Sequence, residues 1–250
     1  IIIANKKVYI KEGVSDLKKP IIGITTAWSV ETWGDSIESR GYNYVGRTYV
    51  EAIISAGGIP FLIPQFDLID IRDIIEKVDG LLFTGGGDAK RFSKGNLPGL
   101  KEQQPLRYSF EAELMKAAKE SKKSILGICR GFQMLIEVFG GTLSNEVIED
   151  HKQKNPNGGV TCHKVNISKG SFLYDIVGTE QWDVNSFHIQ KVSTVPNGFR
   201  TTAVADDGVI EAIEYMGEMF ILGTQFHPEE LLWSDERALL LFKKYIQACQ

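Results

Sequence analysis

Cysteine is scarce: there are three in 250 residues, Cys129, Cys162 and Cys249. They are too few and too scattered for a disulfide framework or a zinc site, and they fit a reducing cytoplasm. No apolar run approaches the roughly 18–20 residues that span a bilayer, so no membrane partner is expected. The opening Ile1-Ile2-Ile3-Ala4 is apolar for only four residues, short of a signal-peptide core. Basic clusters are missing too, and the net charge is −4, which argues against a nucleic-acid partner. The chain shows no repeat, no low-complexity tract and no Pro/Ser-rich linker, so residues 20–250 read as one domain behind an arm at 1–19. What is present is ordinary for a globular domain: 43% hydrophobic and 24% charged residues, enough for a full core.

Strand and helix patterns alternate through the first half. Residues 21–26, 59–63, 80–84 and 124–128 are short apolar runs that read as buried strands. Between them, 43–56, 70–78 and 105–122 carry apolar residues at helical spacing, the first stopped by Gly57-Gly58. Residues 28–41 are polar and aromatic and read as a loop. This order predicts an α/β fold, a mostly parallel central sheet with helices on both faces. After Gly140-Gly141 the pattern changes. A Lys/Asn/Gly-rich loop at 150–159 precedes strand-like stretches at 160–167, 184–195, 200–204, 209–215 and 219–225, and a last helix covers 235–249. Short turns such as Asp206-Asp207-Gly208 join several of them, so additional antiparallel strands are expected in the C-terminal half.

The most informative stretch is Gly127-Ile128-Cys129-Arg130-Gly131, where an apolar strand meets a helical pattern. It has the layout of a nucleophile elbow with cysteine in the nucleophile's place. The two glycines are expected to allow the sharp turn that lifts the sulfur off the sheet. The following helix points its N-terminus at that sulfur, which favours the nucleophilic thiolate. A merely buried cysteine would need neither the glycines nor the strand-to-helix switch.

Cys129 needs a base, and the candidates are His151, His163, His188 and His227. His227-Pro228-Glu229 follows an apolar strand, and Glu229 is close enough to orient the imidazole, which completes a triad. The plainer reading of His227 is a surface histidine beside Glu229 and Glu230. The third feature is Phe83-Thr84-Gly85-Gly86-Gly87-Asp88. Its backbone N–H groups, with the amide of Arg130, suit an oxyanion hole. A phosphate-binding loop is disfavoured, because the P-loop Lys-Ser/Thr is missing.

Together these motifs resemble the class I glutamine amidotransferase-like (flavodoxin-like) fold, and within it the gamma-glutamyl-gamma-aminobutyrate hydrolase branch. The resemblance runs from about Pro20 to the last helix. It also takes in Ala56-Gly57-Gly58-Ile59-Pro60, Gly140-Gly141-Thr142-Leu143, His163-Lys164-Val165 and Val184-Asn185-Ser186-Phe187-His188. It implies a Cys129–His227–Glu229 triad, an oxyanion hole at Gly86 and Arg130, and a pocket drawing on Gly85, Gly87, Gln133, Asn185, Ser186 and His188. A buried polar turn is the rival reading for the Asn-Ser-Phe-His segment. The resemblance further implies a cysteine hydrolase of small gamma-glutamyl amides, needing no metal or organic cofactor, with a homodimer left open. The alternatives are a glutaminase subunit feeding ammonia to a synthase, and a non-catalytic binding protein of the same fold. The chain departs from the usual pattern at Ala89-Lys90-Arg91, Tyr108, Ile136 and Ile189, none of them in the triad.

Overall fold

The computed structural model describes residues 18–32, 39–65, 70–86 and 96–250. The expected arm at 1–19 therefore falls almost wholly outside the described residues, as do Gly87 and the segment Ala89-Lys90-Arg91.

The centre is a nine-stranded sheet, built in two halves. Strands β1 (Ile21–Thr25), β4 (Ile59–Ile63), β5 (Gly80–Phe83), β6 (Ser124–Ile128) and β13 (Ile221–Thr224) pair in parallel, in the order β4-β1-β5-β6-β13. The sheet continues antiparallel through β12 (Ile210–Tyr215), β11 (Phe199–Ala205), β8 (His163–Ile167) and β9 (Gln181–Val184). The inner parallel strands β5, β6 and β13 are buried along their whole length, as strands covered on both faces must be.

Helices α1 (Arg47–Ala56), α6 (Phe172–Val177) and α7 (Glu236–Ala248) cover one face. Helices α2 (Ile71–Lys77), α4 (Pro105–Glu120) and α5 (Arg130–Val138) cover the other, with the single turn α3 (Leu100–Gln103) packed against α4. Local chemistry sets the ends. Asp70 and Asp235 accept from the second backbone amide of α2 and α7, and Pro105 opens α4, where no amide proton is required.

Two expectations need correction. Residues 28–41 are not simply a loop: β2 (Ala27–Thr32) pairs antiparallel with β3 (Ser39–Tyr44). The ribbon stands outside the main sheet, and its Trp28, Tyr42 and Tyr44 are exposed, so these large residues do not give the alternation that marks a half-buried strand. The stretch 184–195 is also not one strand. Its ends lie in β9 and in β10 (Val192–Thr194), which joins β7 (Thr142–Leu143) in a small separate ladder, and between them Phe187 makes only an isolated bridge to Lys152. The middle, Asn185 to Gln190, leaves the sheet with buried polar side chains bonded elsewhere.

Candidate active site

Strand β6 delivers Cys129 at its C-terminal end, and α5 begins at the next residue. Cys129 itself holds a positive φ, with φ 54° and ψ −103°. Strained non-glycine residues of this kind concentrate at functional sites. The strain is held by bonds on both sides: Cys129 N–H donates to the Thr224 carbonyl at 2.7 Å, and its own carbonyl accepts from Gln133 N–H at 3.0 Å.

The flanking glycines act differently from the expectation. Neither Gly127 nor Gly131 has a positive φ. They are small because the helix must pass very close to the sheet. A Cβ on Gly131 would lie 2.1 Å from the Phe83 carbonyl oxygen, and one on Gly127 would lie 2.6 Å from that of Gly131. Close approach is the reason for them, and Cys129 alone carries the turn.

His227 and Glu229 follow β13, the strand beside β6. His227 Nδ1 lies 2.7 Å from Glu229 Oε1, and the Glu229 side chain is 1% exposed. Burial by itself would lower the imidazole pKa. The Glu229 carboxylate and the Cys129 sulfur outweigh it and hold His227 well above its ordinary value, which favours imidazolium. The three residues are brought together across 100 positions of sequence.

Gly85 fits between these groups. A Cβ there would stand 3.0 Å from His227 Cε1, 3.3 Å from Cys129 Cβ and 2.8 Å from the Tyr49 hydroxyl oxygen. Tyr49, on α1, accepts from Gly85 N–H at 2.9 Å. Burial first, and then the Glu229 and Cys129 charges, keep its phenol well above the usual pKa and therefore neutral.

The glycine loop is gripped from below by Arg107. Its guanidinium donates to the carbonyl oxygens of Thr84, Gly85 and Gly86 at 3.2, 3.2 and 2.8 Å, and to Glu111 at 2.9 Å. The peptide bond between Gly85 and Gly86 is trans, so turning the Gly85 carbonyl toward Arg107 turns the Gly86 N–H the opposite way. Gly86 has φ +87°, a value only glycine adopts without cost. The Arg130 amide is the first of α5 and has no intrahelical acceptor. The Arg130 side chain turns inward and pairs with Glu111. Burial lowers its pKa to about 10 against the opposing pull of Glu111. Glu111 in turn sits below the ordinary carboxyl range: burial would raise it, but Arg107 and Arg130 outweigh that.

A cavity of about 490 Å³ opens over the sulfur. Gly86, Cys129, Arg130, Gln133, His188 and His227 line it, as do Lys152, Lys154, Pro156 and Phe187. Asn185 and Ser186 do not line it. Both are fully buried. The Asn185 amide donates to the carbonyls of Gly158 and His227 at 2.7 and 2.9 Å and accepts from His227 N–H at 2.8 Å. Ser186 Oγ donates to the His151 carbonyl. Their polar atoms are spent on backbone, and Asn185 fixes the histidine instead of meeting a substrate. His188 borders the cavity, but its Nε2 faces Glu211. Sequence reasoning missed the Arg107–Glu111 clamp and Tyr49. The i,i+4 spacing of the first pair on one helix was the available signal, whereas Tyr49 falls on the apolar spacing of the 43–56 pattern and gives no polar signal.

A cysteine at a strand-to-helix elbow, a paired histidine and carboxylate, and a parallel sheet between two helical layers define a class I glutamine amidotransferase-like protein. The chain belongs to the Peptidase C26 family, whose pattern matches residues 20–229. That family places it among proteins acting on amide bonds. A Schizosaccharomyces pombe protein provisionally named a glutamine amidotransferase is 34% identical over 216 residues, covering 83% of each chain. The gamma-glutamyl-gamma-aminobutyrate hydrolase PuuD of Escherichia coli is 28% identical over 252 residues, covering 94% of this chain and 95% of that one. Among solved structures, the glutamine amidotransferases of Methylobacillus flagellatus and Thermotoga maritima each superpose with a TM-score of 0.60 at 14% identity, over 93% of this chain and 96% and 97% of theirs. Among the described residues, no helix is long and apolar enough to cross a membrane.

Proposed function

We propose that this chain is a cysteine hydrolase that cleaves the gamma-glutamyl amide bond of a small compound, releasing glutamate and an amine. The observation that carries the reading is Cys129, held at positive φ at the rim of the cavity beside the His227–Glu229 pair. In this reading the Cys129 sulfur attacks the gamma-carbonyl carbon. The tetrahedral oxyanion is met by the amides of Gly86 and Arg130, one turned by the Arg107 clamp and the other standing free at a helix start. His227 gives its proton to the departing amine nitrogen, the C–N bond breaks and a thioester remains. His227 then takes a proton from water, which attacks the thioester and frees glutamate and the thiol. Glu229 holds the imidazole in place and balances its charge.

The likeness to PuuD supports the gamma-glutamyl substrate class. A second reading, a glutaminase that passes ammonia to a partner, is supported by the names of several relatives. One experiment separates them. Glutamate release is measured for glutamine and for a series of secondary gamma-glutamyl amides, with Cys129→Ser as control. The hydrolase reading expects secondary amides to exceed glutamine in kcat/KM and the variant to be silent. Fast hydrolysis of glutamine alone would favour the second reading. Undiminished release by Cys129→Ser would end both.

A further inference from the structure

Three of the four histidines are absent from the triad, and all three turn toward one buried carboxylate. His151, His163 and His188 come from separate stretches of chain. Their ring nitrogens lie 3.0, 3.4 and 3.3 Å from Oε1 of Glu211 on β12. Glu211 is 0% exposed, His151 and His188 are 4% exposed, and the His151 ring stands 4.7 and 4.9 Å from its two neighbours.

The outer ring nitrogens show what the inner ones can do. His151 Nε2 meets the Asp207 carboxylate at 2.9 Å, and His188 Nδ1 meets the Gln190 carbonyl at 3.1 Å. Both partners only accept, so both outer nitrogens carry the proton. In neutral rings, the inner nitrogens then aim bare lone pairs at the same point as a carboxylate. Hydrogen bonding serves that arrangement poorly. His151 Nδ1 and His163 Nε2 are buried and lack hydrogen-bond geometry despite their short distances to Glu211, and so does the second oxygen, Glu211 Oε2. Making all three rings imidazolium would crowd three cations around one buried carboxylate.

A divalent ion resolves both problems. Four ligand atoms held 2.0–2.1 Å from a tetrahedral zinc stand roughly 3.3 Å from one another. The three nitrogen-to-Oε1 separations match that spacing. Imidazoles whose outer N–H is fixed by a carboxylate or a carbonyl are the usual orienting arrangement for metal-ligating histidines. The backbone is also pinned, since His188 N–H donates to the His151 carbonyl at 3.2 Å.

We propose that His151, His188 and Glu211, whose ligand atoms all lie within 4.8 Å of one another, form a structural site for a zinc-class divalent cation behind the cavity wall, with His163 Nε2 beside it. Imidazole and carboxylate ligands suit zinc better than calcium or magnesium. All three ligands are buried, so the ion would hold the wall at His188 and take no part in acyl transfer. The reading is independent of the substrate proposed above.

The test uses the full chain carrying Cys129→Ser, so that the elbow sulfur cannot bind metal. The protein is stripped with a chelator and titrated with Zn²⁺ against a chromophoric competitor, and with Co²⁺ by visible absorption. The expected result is one equivalent bound with Kd below about 1 µM, intense tetrahedral Co²⁺ bands and a raised Tm. His151→Ala should abolish stoichiometric binding. Asp207→Asn alters only the half-exposed partner of His151, leaves the core intact, and should weaken binding about 10–100-fold. Absence of stoichiometric binding by the parent would overturn the proposal. So would equal affinity in His151→Ala and Asp207→Asn, because the ion would then sit elsewhere.

Discussion

Replacing Asn185 by alanine should disable His227 without touching the cavity. The Asn185 amide makes three bonds, two of them to the backbone of His227 and one to Gly158. Each is worth about 1 kcal/mol net, so the loss is about 3 kcal/mol. In a domain of this size that lowers Tm by about 6–12 °C. The kinetic effect follows from position. With its backbone released, the imidazole drifts, and a displacement of about 1 Å costs up to about 100-fold in rate. We expect kcat to fall about 10- to 100-fold and KM to stay within about twofold, because no substrate contact is removed. Asn185→Asp sharpens the test. It keeps an acceptor for His227 N–H but sets a carboxylate oxygen against two carbonyl oxygens, so it should be no better than alanine. The assay is steady-state hydrolysis of a gamma-glutamyl anilide with thermal melts on the same samples. A raised KM with unchanged kcat would refute the reasoning and return Asn185 to the substrate pocket.

Gly131→Ala should cost about 1–3 kcal/mol or more, since its new methyl meets the Phe83 backbone at 2.1 Å; chemical denaturation reads this directly. Arg107→Lys keeps a charge near Glu111 but loses the fork that grips three loop carbonyls. It should lower kcat by about 100-fold or more, as for a lost oxyanion donor, in single-turnover assays. Glu111 is held below its ordinary 4.5 by Arg107 and Arg130 against its burial. Its contribution to stability is therefore full above that pH and lost as pH falls through the lower folded value. Denaturation midpoints across the acid range should show this limb in the parent, and Glu111→Gln should be less stable and flatter there. Burial pushes the Cys249 thiol up to about 12. Iodoacetamide near neutral pH should therefore label Cys129 and exposed Cys162 in the folded protein and spare Cys249, as peptide mass spectrometry would show; substantial labelling of Cys249 would count against its raised pKa.

Local chemistry made part of this molecule legible from its residues alone. The buried strand before Cys129, the elbow, the His-Pro-Glu turn and the alternation of strands and helices are short-range patterns, with period and punctuation readable within a dozen residues. The strand Ser124–Ile128 was placed to the residue for this reason. What only the tertiary structure decided are the partnerships between distant residues. Nothing near Asn185 shows that its amide ends on His227, 42 positions away. Nothing near Gly131 shows that it is small because Phe83 passes beside it. The ribbon of β2 and β3 escaped because alternation marks a strand only when one face is buried, and its Trp28, Tyr42 and Tyr44 are exposed. The convergence of His151, His163 and His188 on Glu211 escaped because sequence spacing reports neighbours along one element, whereas a packed fold chooses neighbours across four. Burial then makes those choices binding, since a polar group removed from water must find its partner wherever the chain has brought one.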